Sequence, residues 1–251
     1  MLIESNQNSK LKNWSKLKQK KYRNQEQVFL VEGEHLVLEA LASNRVKDVL
    51  IREGAEANLN EGITNHSNLF TIKENLFNKL ATTQSPQPVM AICTMEQQII
   101  ERKNRLLILD QIQDPGNMGT LIRSAVAFGF DGIIVGHGCV DLYNEKVIRS
   151  TQGAIFKIPI KQQELLSCVA ELKSEGIVVM GTSLQNGVPL QTIPTFEQMA
   201  FIIGNEGNGV GTKLLTATDQ NIYIEMTASV ESLNVSIAGS IIMHQFHQIQ
   251  S

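Results

Sequence analysis

No stretch of this 251-residue chain approaches the ~18 uninterrupted apolar residues that a membrane-crossing helix needs. The opening MLIESNQNSKLKNW also lacks the apolar run of a secretory signal, so the expected compartment is the cytoplasm, with no membrane partner. Cysteine is scarce. Cys93, Cys139 and Cys168 are odd in number, far apart and form no C-x-x-C pair, which argues for buried reduced thiols and against a disulfide framework or a zinc site. The five histidines make no ligand constellation with cysteine or carboxylate, and no metal is expected. Internal repeats and low-complexity tracts are absent as well.

The length suits two ordinary domains, and a composition 42% apolar and 19% charged leaves no room for a disordered majority. The net charge of −3 hides a polarity. Residues 10–23, KLKNWSKLKQKKYR, carry Lys10, Lys12, Lys16, Lys18, Lys20, Lys21 and Arg23 without one acid, so residues 1–23 sum to +6 and the rest to −9. A basic stripe interleaved with Trp14 and Tyr22 suits phosphate neutralisation and base stacking on RNA or DNA. The same residues also fit a solvated amphipathic helix, with Leu11, Trp14 and Leu17 on its apolar side.

Beyond that helix, VFLVEG, VKDVLIR, NLFTI and PVMAIC alternate with helical patterns EHLVLEALAS and KENLFNKLA, a compact α/β unit. The polar stretch EQQIIERKN (96–104) marks the boundary, giving domains over 1–97 and 105–251. From residue 105 apolar strands alternate with helices, the pattern of a mostly parallel, covered sheet. In the last helix Leu233, Ile237 and Ile241, with Val235 and Ala238, repeat at helical spacing and are expected to dock on that sheet.

Ligands of open parallel sheets bind beyond the carboxyl ends of strands, and three such loops stand out. In DQIQDPGNMGTLIRSAVAFGF (110–130), Asn117 sits at the expected helix start as a cap, and Arg123 stands in an apolar helical stripe where it needs a partner or a cleft. FIIGNEGNGV (201–210) places Glu206 among Gly204, Gly207 and Gly209, residues that let a backbone approach a ligand closely. Gly207, Gly209 and Gly211 imitate a dinucleotide fingerprint, but too late in the chain to open a doubly wound fold. In IEMTASVESLNVSIAGS (224–240), Ser232 and Asn234 open the final helix, where caps are ordinary.

Taken together and in order, DPGNMGTLIRSAVAFGFDGIIV, FIIGNEGNGV and IEMTASVESLNVSIAGSII resemble the three motifs of the SpoU family of RNA ribose 2'-O-methyltransferases, within the SPOUT class. VIRSTQGAIFKIPI (147–160) resembles the family's intervening segment, and residues 8–41 resemble the ribosomal-protein-like RNA-binding domain of rRNA-modifying members. Two positions depart from the pattern: Glu225 replaces a proline between Ile224 and Met226, and Ser9 replaces a proline after Asn8. The resemblance implies an α/β SPOUT fold with a C-terminal trefoil knot, preceded by the smaller RNA-binding domain, and a homodimer. It implies S-adenosyl-L-methionine as cofactor, held by Thr182, Gly204, Ile224, Met226 and Leu233. Asn117, Arg123, Glu206, Ser232 and Asn234 are implied as catalytic, Arg123 beside the hydroxyl or its phosphate. The N-terminal domain favours rRNA over tRNA as partner, and retention of all five polar residues argues against a non-catalytic RNA-binding relative.

Overall fold

The structure is a computed structural model that describes residues 1–96, 99–227 and 232–247. Two compact units divide the chain: residues 1–96 with 141–156, and the remainder. Residues 228–231 of the third motif, Gln97, Gln98 and the last four residues lie outside the described ones.

The first unit contains β1 (Leu2–Ile3), α1 (Ser9–Lys16), α2 (Lys20–Glu26), β2 (Val28–Glu32), α3 (Glu34–Ala42), β3 (Val46–Arg52), α4 (Glu61–Thr64), β4 (Leu69–Ile72), α5 (Glu74–Leu80) and β5 (Val89–Thr94). Its sheet runs β1-β4-β3-β5-β2, with β5 antiparallel to both neighbours and the other pairs parallel. The basic stripe is two helices. Asn8 caps α1 by accepting from the Leu11 N–H, and the Arg23 guanidinium donates to the carbonyls of Leu17 (2.7 Å) and Lys18 (3.0 Å), where the chain breaks. Such cation-to-carbonyl bonds satisfy the acceptors a helix end leaves open.

Leu11, Trp14 and Leu17 are buried in the first core with Phe70, Phe77 and Leu80, and Trp14 meets Phe70 edge to face at 5.2 Å. The amphipathic reading of this segment therefore holds, and Trp14 is not free to stack on a base. Residues 141–156, including α7 (Glu145–Thr151), complete this unit although they fall late in the chain. Asp141 pairs with the buried Arg23, and Phe29 packs its ring on Tyr143 (4.6 Å) and Phe156 (6.2 Å).

The second unit carries β6 (Arg105–Leu109), α6 (Pro115–Ala127), β7 (Gly132–Val135), β8 (Ile160–Gln162), α8 (Leu165–Ser174), β9 (Val178–Thr182), β10 (Gly187–Pro189), β11 (Met199–Ile203), α9 (Thr212–Ala217), β12 (Gln220–Tyr223) and α10 (Val235–Gln245). Its sheet, ordered β10-β12-β9-β11-β6-β7-β8, is parallel throughout. The central strands are buried along their whole length, as a sheet covered on both faces requires.

The face of α10 differs from the expectation. Val235, Gly239, Ile242 and Met243 point inward, whereas Ile237 and Ile241 are 52% and 39% exposed. The helix carries apolar residues on both sides of the polar line Ser236, Ser240 and His244, so periodicity alone offered two stripes. Gly239 decides between them: a Cβ there would strike the Leu121 side chain, so the inward face can lie close on α6, where Ser240 and Ser124 share a hydrogen bond of 2.7 Å. The buried Arg105 holds the end of this helix by donating to the Phe246 carbonyl (3.1 Å) and to that of Glu197 (2.8 Å).

Candidate active site

The loop after β6 begins at Asp110 and leads into α6, whose first helical residue is Pro115. Asp114 caps the helix by accepting the Asn117 N–H at 2.8 Å, with proline at the position where no N–H is needed. Asn117 is therefore the third residue of the helix and not its cap. The Asp-Pro pair was the signal for this, and its effect is to release the Asn117 side chain for other work. Arg123 also departs from the expectation. It lies outside the apolar stripe formed by Met118, Leu121, Ile122 and Ala125, on an exposed stripe with Gly116, Thr120 and Ala127. Its neighbours there are short, and it makes no hydrogen bond or ion pair with the described residues.

The loop after β11 folds back on itself. Asn205 and Gly209 exchange backbone hydrogen bonds of 3.0 and 2.9 Å, and a Cβ on Gly204 would collide with the Gly209 and Val210 backbone. Glycine at 204 is thus required by the loop's own return, before any ligand is considered. Asp110 ties this loop to the preceding one by accepting the Gly211 N–H at 2.9 Å.

Three side chains from three loops meet. Asn234 caps α10 by accepting from the Ser236 and Ile237 N–H groups (2.9 and 3.3 Å), so its Nδ2 is the end left to donate, and it donates to Asn117 Oδ1 at 3.0 Å. Asn117 Nδ2 in turn donates to Glu206 Oε1 at 2.8 Å. The direction is forced along the chain of amides, because each oxygen is already occupied as an acceptor. Ser232 is exposed and makes no hydrogen bond with described residues; neither it nor Arg123 joins this trio.

Thr182, Gly204 and Ile224 gather at the carboxyl ends of adjacent strands. Thr182 lies opposite Ile222 in β12 and its hydroxyl donates to the Ile202 carbonyl of β11 at 3.0 Å, one residue before the turn to Gly204. Thr182, Ile224, Met226 and Leu233 are each half-buried. Burial raises the Cys139 thiol above its ordinary range, and the thiol donates to the Leu109 carbonyl, so it is no candidate base or nucleophile. Among the described residues no cluster of His, Cys, Asp or Glu could hold a metal ion, and no helix is long and apolar enough to cross a membrane.

In the first unit Lys10, Lys12, Lys16, Lys18, Lys20 and Lys21 are exposed. Lys10 pairs with Asp48 at 3.6 Å, Lys18 donates to the carbonyls of Lys79 and Ala81 (2.9 and 2.8 Å), Lys12 donates to Gln7 Oε1, and Lys16 and Lys21 lie over the Tyr22 ring at 5.5 and 5.9 Å. Arg23 is a correction to the RNA-contact set. It is 4% exposed, one terminal nitrogen of its guanidinium donates to the Leu17 and Lys18 carbonyls, and the other pairs with the Asp141 carboxylate.

Residues 104–244 match the SpoU rRNA methylase family, and residues 8–91 match an MRM3-like substrate binding domain. The 23S rRNA (guanosine(2553)-2'-O)-methyltransferase RlmP of Bacillus subtilis (strain 168) is 43% identical over 243 residues, 96% of this chain and 97% of that one. An AdoMet-bound rRNA methyltransferase from Sinorhizobium meliloti is similar in structure, with a TM-score of 0.87 and 26% identity, covering 98% of this chain and 96% of that one. The SpoU methyltransferase AviRb from Streptomyces viridochromogenes, in complex with AdoMet, gives a TM-score of 0.84 at 25% identity over 95% of this chain and 97% of that one.

Proposed function

This chain belongs to the SpoU rRNA methylase family, and from that membership we propose that its substrate is 23S rRNA, at the guanosine for which its Bacillus subtilis relative is named. The chain is an S-adenosylmethionine-dependent RNA 2'-O-methyltransferase. In this reading residues 1–97 recognise the RNA and residues 105–251 carry the catalysis. The observation that supports the site assignment best is the Asn117–Glu206–Asn234 trio, which joins all three motif loops through side chains alone.

The residues at the strand ends suit the cofactor. Only backbone can line the turn at Gly204, and Thr182, Ile224, Met226 and Leu233 offer a neutral, largely apolar surface with few polar groups, the usual make-up of a small-molecule site. When bound, the cofactor supplies an electrophilic methyl group. The protein's part is to align the ribose 2'-hydroxyl, a poor nucleophile, and to ease loss of its proton. Arg123 is assigned to the neighbouring phosphate or the hydroxyl, because its guanidinium is unpartnered among the described residues and its flanking residues are too short to obstruct RNA. A guanidinium keeps its proton, so its contribution is charge and position, with a phosphate oxygen or water taking the proton. Asn117, Glu206 and Asn234 hold the loops around it, and Ser232 is assigned to the ribose side of the same site.

Lys12, Lys16, Lys20 and Lys21 are the phosphate-binding side chains of the first unit in this reading, with Lys10 and Lys18 beside them. The exposed Ile237 and Ile241 support a homodimer through α10. The trefoil knot fits a sheet in which β11 is inserted between β6 and β9 and the chain after β12 returns to α6. The cytoplasm is the matching compartment. Mapping 2'-O-methyl groups along 23S rRNA from cells with and without the protein tests the substrate. Loss of one guanosine modification is expected; an unchanged 23S profile with a lost tRNA modification overturns it in favour of the tRNA reading.

A further inference from the structure

We propose that Asn205 is a positioning residue for methyl transfer: through one side chain it fixes the glycine-rich loop to the loop before α6 and steadies the Glu206 carboxylate against Asn117. Asn205 Oδ1 accepts from the Gly207 and Asn208 N–H groups at 2.9 and 3.1 Å, which forms the turn. Its Nδ2 is therefore a donor pointing the other way. It donates to the Gln111 carbonyl at 3.0 Å and approaches Glu206 Oε2 at 3.5 Å. Gln111 has φ of +55°, a left-handed conformation that a side chain other than glycine's rarely adopts and that surroundings must hold in place. The Asn205 amide is one such hold.

The consequence is a continuous chain of side-chain hydrogen bonds whose two arms converge on one carboxylate. Asn234 donates to Asn117, Asn117 to Glu206, and on the far side Asn205 donates to Glu206 and Gln111. Both Glu206 oxygens face donors, so the carboxylate serves as the shared acceptor in which the two arms end. Removing the Asn205 donor frees one arm. Replacing it by a carboxylate sets an oxygen against the Gln111 carbonyl and a second negative charge beside Glu206.

That sign gives a test that loop stability alone does not imitate. Two neighbouring carboxylates resist ionising together, so in Asn205→Asp the new carboxyl and Glu206 take up one shared proton as pH falls, and a donor again lies between them. Asn205→Ser keeps a short acceptor for the turn and removes the donor, with nothing to titrate. The proposal rests on the methyltransferase reading, so single-turnover methylation is measured on rRNA from cells lacking the enzyme, with wild type in parallel and saturating cofactor. Both variants are expected to lose roughly tenfold in turnover at pH 8, the effect of one hydrogen bond, with cofactor affinity nearly unchanged. The ratio of Asn205→Asp to wild type should climb several-fold on going to pH 6, while the Asn205→Ser ratio stays flat. Near-wild-type turnover in both variants overturns the proposal. So does a deficit that is equal at every pH and follows a lowered melting temperature. Silence from the wild type on this RNA instead overturns the substrate assignment, and the pH-dependent recovery is then read in the melting temperature of Asn205→Asp, where its absence overturns the role of Asn205.

Discussion

Asn234 donates its side-chain amide to Asn117 Oδ1 at 3.0 Å while its own oxygen caps α10, so one residue both starts the last helix and clamps the first motif loop. The two tasks use different atoms and can be separated. Asn234→Ala should lose both, lowering stability by about 1 kcal/mol as a missing cap does, and lowering turnover. Asn234→Asp keeps the capping oxygen and loses only the donor. It should melt within a degree or two of wild type yet methylate slowly, which thermal melting and single-turnover assays together will check.

Arg123 is exposed and unpaired among the described residues, so Arg123→Ala should leave the melting temperature and S-adenosylmethionine affinity almost untouched. Turnover should fall roughly a hundredfold or more, as loss of one preorganised donor commonly causes. Arg123→Lys should rescue poorly, because a point charge does not reproduce the planar two-donor fork. Near-wild-type methylation by the alanine variant would defeat this assignment.

Deleting residues 1–23 would remove Leu11, Trp14 and Leu17 from a core, so the RNA role of the basic stripe is better tested by substitution. Lys12, Lys16, Lys20 and Lys21 changed together to alanine should weaken rRNA binding and flatten its salt dependence by roughly 0.7–0.9 in log–log slope for each phosphate no longer neutralised. Arg23→Ala should act differently, lowering stability by roughly 3 kcal/mol through the stranded Asp141 carboxylate and leaving the salt slope alone.

Ile237→Glu should shift the protein toward a monomer in sedimentation, since it places a charge on the exposed apolar face of α10. A wild type that is itself monomeric at micromolar concentration, or a variant that stays dimeric, counts against this interface.

Burial pushes the Cys93 thiol up to about 12 and the Cys168 thiol to about 11, from an ordinary 9.0. The folded chain keeps these protons where the unfolded chain has released them. Their contribution is thus complete below pH 9 and lost as pH rises through the folded values. Urea midpoints should fall between pH 9 and 11, and Cys93→Ala with Cys168→Ala should flatten that fall.

Much of the second sheet was legible from residues because its strands are buried runs such as LLIL and AFII, separated by helices. The site was legible as a set of polar residues in three ordered loops. What failed were decisions between two faces of one helix. Arg123 and Ile237 each sit on helices where spacing allows more than one stripe, and only the packing partner chooses: Leu121 against Gly239 in α10, and the inward stripe beside Arg123 in α6. Trp14 could equally have faced RNA or a core until Phe70, far along the chain, supplied a ring to meet it. Asn205 escaped notice because its neighbour Glu206 carried the more familiar chemistry.

The first unit takes Asp141, Tyr143 and Phe156 from a segment that follows β7 in the chain. On the ribosome, which adds roughly 5–20 residues per second, the partners of Phe29 and Arg23 emerge several seconds after the strands they join. The N-terminal half must wait, with those two groups uncovered, until translation has passed residue 156. By then β6, α6 and β7 have already been made, so the first unit is completed only after the second has begun to emerge. A fragment ending near residue 96 should consequently behave as an unfinished intermediate and not as a free-standing RNA-binding module.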